Sequence, residues 1–167
     1  MSGRIFLFGD DIDTDQLAPG RYMRGGIEAL AAHCLEATRP DFAQTVQPDD
    51  IVVAGRNFGA GSSREQAAEA LRHLQVAGVV ALSFAGIFYR NAVNLGLPVL
   101  IAPSLGGVAD GDAATLDPEG GVLRLIDKAA DIELETMPEN LRAIIENGGL
   151  VPHLKKRFAA EHKGHAE

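Results

Sequence analysis

The chain has 167 residues, 46% of them hydrophobic, with a formal net charge of −8 at neutral pH. That length supports one domain with a real core over residues 1–167, and an acidic balance with no Lys/Arg run excludes nucleic acid as the main partner. Cys34 is the single cysteine, which excludes an internal disulfide and cannot alone hold an iron–sulfur cluster or a zinc ion. With no basic-then-apolar leader pattern and no run of about 18 apolar residues, the expectation is a cytoplasmic protein without a membrane partner.

Elements alternate along the chain. Arg4–Phe8 reads as a first strand that ends at Gly9 and the acidic turn Asp10–Asp15. Gln16–Gly26 is punctuated by Pro19, Gly20, Gly25 and Gly26 and reads as irregular. Ile27–Glu36 has helical spacing, with Ile27, Leu30, Ala31, Cys34 and Leu35 on one face, and Arg39–Phe42 breaks it. Ile51–Ala54 is a strand, a glycine loop follows, and a helix runs from about Ser63 to Gln75. Val79–Ser83 is a strand, Ala85–Leu95 a helix stopped by Gly96, and Pro98–Ala102 another strand. The alternation implies a parallel, helix-covered sheet from Ile51 to Ala102. Beyond it, Gly120–Ile126 and Ala130–Glu135 read as a β-hairpin, Pro138–Asn147 as a helix ended by Gly148-Gly149, and Leu150–Phe158 as a last short helix. The tail from about 159 to 167 is expected to fray.

Arg56–Glu65 carries the chemistry. Gly59 and Gly61 permit a sharp turn and close approach of a ligand to the backbone. Ser62 and Glu65 have the spacing of a capping box, which would start the helix there with several N–H groups unpaired. Those groups and Arg64 in the first turn suit a carboxylate or phosphate. The loop is not a Walker A element, because Ser62-Ser63 stand where Lys-Ser/Thr is needed, nor a dinucleotide G-x-G-x-x-G, because Arg64 replaces the third glycine.

Other features weigh less. The Asp10, Asp11, Asp13, Asp15 cluster reads as a solvated turn, since it lacks the glycine and distal glutamate of a calcium loop. His33 and His73 fall on predicted helices and read as half-buried or solvated rather than as ligands, and Cys34 as packed on the apolar face. Tyr89-Arg90-Asn91 fits equally a ligand-facing helix face or plain surface. Taken residue by residue, the sequence implies a small anion bound in a strand-to-helix loop by Arg and Ser.

Three segments together carry a resemblance: Gly9–Gln16 followed by Pro19–Tyr22; Asn57–Glu65; and Ser83–Ala92. In order and spacing they are similar to the small subunits of the isopropylmalate isomerase/homoaconitase group, the separate-chain form of the aconitase swivel domain. The ending Gly148-Gly149-Leu150 is also similar, and the match spans roughly Arg4 to Arg157. The resemblance implies an α/β fold of the swivel type: a β/β/α layered domain, a mostly parallel helix-covered sheet, and a C-terminal β-hairpin and helix.

For function it implies a hydro-lyase of the 3-isopropylmalate dehydratase type, which isomerises 2- and 3-isopropylmalate by dehydration and rehydration in leucine biosynthesis. No cofactor is expected on this chain; a [4Fe–4S] cluster on a partner large subunit would be the Lewis acid. The resemblance makes Ser62 the base and Asp15 an active-site acid, with Ser63 and Arg64 holding substrate carboxylate. Tyr22 and Arg24 lie in the loop that meets the variable substituent of the substrate. Arg24 is a departure: an apolar residue there suits an isopropyl group, whereas an arginine suits an extra carboxylate. The alternatives are therefore a homoaconitase or a dimethylmalate- or methylmalate-type dehydratase small subunit and, in another class, a non-catalytic anion-binding module. Self-association of the small subunit when alone stays open.

Overall fold

The computed structural model describes residues 2–163. Seven strands form one sheet in the order β4-β3-β2-β1-β5-β6-β7. The strands are β1 (Gly3–Leu7), β2 (Ile51–Ala54), β3 (Gly78–Ala81), β4 (Val99–Ile101), β5 (Ala113–Asp117), β6 (Val122–Leu125) and β7 (Ala130–Glu133). Strands β1 to β4 pair in parallel, with Phe6 opposite Val52, Val52 opposite Val79 and Val80 opposite Leu100. Strands β5 to β7 are antiparallel, and β5 joins the sheet through Gly3 and Arg4 of β1.

Burial explains the two halves. All four residues of β2 and of β3 are buried, as expected of parallel strands covered on both faces. One face, with Phe6, Val52, Val79 and Val99, packs with Leu30, Ala67, Leu71 and Phe88 from the helical side. Their alternate neighbours Ile5, Ile51, Val53, Val80 and Leu100 form a second cluster with Ala114, Leu123 and Leu125 of the antiparallel half. The antiparallel strands thus lie back over the parallel ones, which gives β, β and α layers. Within β6 the burial alternates, Leu123 and Leu125 inside and Arg124 exposed, because this layer faces solvent on its other side.

Helices are α1 (Thr14–Leu17), α2 (Gly26–Ala31), α3 (Phe42–Thr45), α4 (Glu65–His73), α5 (Gly86–Leu95), α6 (Glu139–Glu146) and α7 (Leu150–Lys163). Several expectations need correction. Gln16–Gly26 is not irregular: it holds the end of α1 and a 3-10 turn over Gly20–Gly25. The Ile27–Glu36 helix stops at Ala31 and continues as turns to Thr38. Residues 113–117 form a strand that composition does not announce, so the sheet is half antiparallel rather than mostly parallel. The last helix runs past Phe158 to Lys163, so the start of the expected frayed tail is helical; residues 164–167 of that tail lie outside the described residues.

Candidate active-site edge

The three motifs meet at the carboxyl end of the parallel strands. Where β2 ends, Arg56 N–H donates to Asp10 Oδ1 at 2.7 Å, and Asp11 N–H donates to the Arg56 carbonyl at 2.9 Å. Asn57, at φ +60°, donates from Nδ2 to Asp11 Oδ1 at 2.9 Å and from its backbone to Ser83 Oγ at 2.8 Å. Phe58 N–H reaches the Ser83 carbonyl at 3.0 Å, and Ala85 N–H returns to the Phe58 carbonyl at 2.9 Å. Gly59 N–H then donates to the Ile12 carbonyl at 2.7 Å, and Thr14 N–H to the Ala60 carbonyl at 2.8 Å. Backbone hydrogen bonds therefore stitch the middle segment between the other two.

Gly59 and Gly61 are required by shape. Gly59 sits at φ +82°, and a Cβ there would stand 2.2 Å from Phe88 Cγ. Gly61 sits at φ +109°, and a Cβ there would come within 2.9 Å of Thr14 Oγ1. Phe58, Phe84 and Phe88 pack below the loop, with ring centroids 5.2 to 6.2 Å apart.

The capping box expected at Ser62 and Glu65 does not form. Helix α4 begins at Glu65 behind Arg64, with no side-chain cap, because Thr14 takes both groups of Ser62 that a cap would use. Ser62 N–H donates to Thr14 Oγ1 at 3.1 Å, and the two hydroxyl oxygens are 3.2 Å apart. The capping box is found instead at Asp13 and Gln16, which start α1 and so fix Thr14 and Asp15. Thr14 is only 2% exposed, whereas Ser62 and Ser63 are exposed. Thr14 is the residue that motif reading misses; its signal is a buried hydroxyl in an otherwise acidic turn.

Arg64 pairs with Asp15 and also donates from Nη1 to the Ala18 carbonyl at 3.1 Å. Nη1 is thereby used, leaving Nε and Nη2 to meet a carboxylate. Nη2 lies beside Gly20, at the start of the 3-10 turn. Ser62, Ser63, Arg64 and Asp15 are thus brought to one edge. Tyr22 and Arg24 are on the neighbouring turn. The Tyr22 ring stacks on His33 with centroids 3.5 Å apart, while Arg24 is exposed.

His33 and Cys34 fall where packing predicts. His33 is 37% exposed at its side chain, and burial pushes the fully buried Cys34 thiol well above its ordinary range. Among the described residues no group of three or more His, Cys, Asp or Glu side chains is arranged to hold a metal ion. Among the described residues, no helix is long and apolar enough to cross a membrane.

The layered fold and the glycine loop at its sheet edge define a class, that of aconitase swivel-type domains. Residues 32–104 match the aconitase C-terminal domain. The chain is 46% identical to the methanogen homoaconitase small subunit of Methanothermobacter thermautotrophicus, over 92% of this chain and 90% of that one. It is also 46% identical to 3-isopropylmalate dehydratase small subunit 1 of Thermotoga maritima, over 92% and 94% of the two chains. The crystal structure of a 3-isopropylmalate dehydratase from Methanocaldococcus jannaschii superposes with a TM-score of 0.92 at 42% identity, covering 98% of each chain. The chain belongs to the family of 3-isopropylmalate dehydratase and homoaconitase small subunits.

Proposed function

We propose that the chain is the small subunit of a cytoplasmic hydro-lyase that interconverts 2-isopropylmalate and 3-isopropylmalate by removing and restoring water. It acts as a single swivel-type domain docked on a large subunit. A [4Fe–4S] cluster on that large subunit supplies the Lewis acid for the departing hydroxyl. The observation that carries the reading is Ser62, an exposed hydroxyl gripped by Thr14 two residues before a guanidinium that Asp15 and Ala18 hold in place.

Ser62 is the base that takes the proton alpha to a carboxylate. Serine has little basicity in water, so its alkoxide needs donors arranged in advance. Thr14 supplies one. Its oxygen accepts the Ser62 N–H, and toward a Ser62 alkoxide the Thr14 O–H is the donor across the 3.2 Å contact; the proton taken from the substrate carbon returns that alkoxide to the neutral serine. The start of α4 adds its positive end nearby. Ser63 and the free edge of Arg64 hold a substrate carboxylate, with Asp15 orienting the guanidinium. The exposure of Ser62 and Ser63 accords with a site closed and dried by a second chain.

One observation favours a second reading. Arg24 is exposed, and among the described residues it makes no hydrogen bond or ion pair, so it is available for the extra carboxylate of a homoaconitate-type substrate. The test is the reconstituted complex assayed on isopropylmalate and homocitrate side by side. Preference for isopropylmalate is expected. Preference for homocitrate that disappears in Arg24→Val establishes the second reading, and a colourless, partnerless chain without turnover points to a binding module.

A further inference from the structure

Four side chains around the 3-10 turn form a closed ring of contacts. The Arg21 guanidinium lies over the Tyr22 ring, 4.9 Å from its centroid. The other ring contact of Tyr22 is the His33 imidazole, stacked at 3.5 Å with the planes 5° apart. His33 Nδ1 is 2.6 Å from Glu36 Oε2. Glu36 Oε1 returns to Arg21 as an ion pair. Glu36 thus spends one oxygen on each neighbour, and both contacts hold its carboxyl below the usual range, Arg21 more than His33. The carboxylate is therefore ionised throughout the neutral range.

The ring is a poor source of stability. The Arg21 side chain is 70% exposed, and solvent-exposed pairs contribute little to folding. What the ring does fix is direction. The turn holds two arginines, Arg21 and Arg24, separated by Tyr22 and Met23. One of them is tied back to the His33–Glu36 segment. The other is left unpaired and exposed among the described residues. Two glycines, Gly25 and Gly26, follow directly, so without a brace the turn has a flexible exit.

We propose that His33 and Glu36 are specificity-positioning residues: by clamping Arg21 and Tyr22 they set the pose of the Gly20–Gly25 turn and leave Arg24 as its one untied cation toward the variable substituent of the substrate. This rests on the function proposed above. Releasing Arg21 gives the turn a second mobile cation, which favours a substrate with an additional carboxylate over one with an alkyl group. The stack and the ion pair are separable. His33→Phe retains an aromatic plane for Tyr22, whereas His33→Ala removes it and Glu36→Gln frees Arg21.

Two measurements test the brace. Hydrogen exchange on the full chain follows the turn directly, since Tyr22 N–H donates to the Pro19 carbonyl at 3.0 Å. Glu36→Gln and His33→Ala are expected to speed exchange across residues 20–25 and leave α4 unchanged, with His33→Phe near wild type. In the reconstituted complex, Glu36→Gln is expected to raise KM for isopropylmalate about fivefold with kcat within about twofold, as for loss of uniform binding. Relative kcat/KM for homocitrate should rise. Unchanged exchange together with an unchanged KM in Glu36→Gln and His33→Ala overturns the proposal, as does a loss of kcat shared equally by both substrates. If the wild-type complex turns over neither substrate, the functional reading fails, while the exchange data still decide whether the brace exists.

Discussion

The role proposed for Ser62 as a base depends on what surrounds its oxygen. Thr14 Oγ1 lies 3.2 Å from it and is the donor toward the proposed alkoxide, and removing one prearranged donor from such a site costs about a hundredfold in kcat or more. Thr14→Val should therefore reduce kcat about a hundredfold in the reconstituted complex, and Thr14→Ser should recover most of it. The valine also leaves the Ser62 N–H without its acceptor, at a cost of roughly 1–3 kcal/mol in stability. A denaturation curve beside the assay separates the two effects. Ser62→Ala should abolish turnover and leave assembly with the large subunit intact; appreciable residual turnover counts against its role. Arg64→Lys should raise KM, because an ammonium cannot hold Asp15, the Ala18 carbonyl and a bidentate carboxylate at once. If KM is unchanged, Arg64 is only a strut.

At the scale of elements, the glycine loop shows what sequence can and cannot reveal. The continuous apolar run of β2, the glycines and the following helix are legible because each is a local physical demand. The start of the helix is not legible, because Ser62 meets a partner 48 residues away that no local pattern contains. Asp13 and Gln16 do form a capping box, yet an acidic run also reads as a solvated turn, and only the contact with Ala60 distinguishes them. Strand β5 is hidden for a similar reason: Ala113-Ala114-Thr115-Leu116-Asp117 has little intrinsic preference, and its pairing with β1 and β6 makes it a strand. Gly59 provides a test at this scale. Gly59→Ala combines a left-handed backbone with a 2.2 Å approach to Phe88, so it should lower unfolding free energy by on the order of 3 kcal/mol. A denaturant midpoint close to wild type would mean that the loop relaxes without help from Phe88.

The whole molecule depends on a seam where the antiparallel layer joins the parallel one, and that seam is built from carboxylates. Ile5 N–H donates to the Asp112 carbonyl at 2.9 Å, and Gly111 N–H donates back to the Ile5 carbonyl at 2.8 Å. Beside them, Asp110 accepts Leu7 N–H at 2.9 Å and Arg39 Nη1 at 2.6 Å, so it ties the end of β1 to the segment before α3. Asp112 accepts Lys128 Nζ and Ala109 N–H, each at 2.7 Å. Arg39, then the Leu7 amide, holds the Asp110 carboxyl below the ordinary range; Lys128, then the Ala109 amide, does the same for Asp112. A carboxyl whose folded pKa is depressed contributes stability that is fully present above its unfolded value, about 3.9 for Asp. That stability is lost as pH falls through the depressed folded value. The difference in Tm between wild type and Asp110→Asn should therefore be constant from neutral pH to about pH 5 and shrink below about pH 4. Other carboxylates also protonate there, but they do so in both proteins and cancel in the difference. A difference that persists unchanged at acid pH would mean that the Leu7 and Arg39 contacts hold the seam by hydrogen bonding that survives protonation, not by charge.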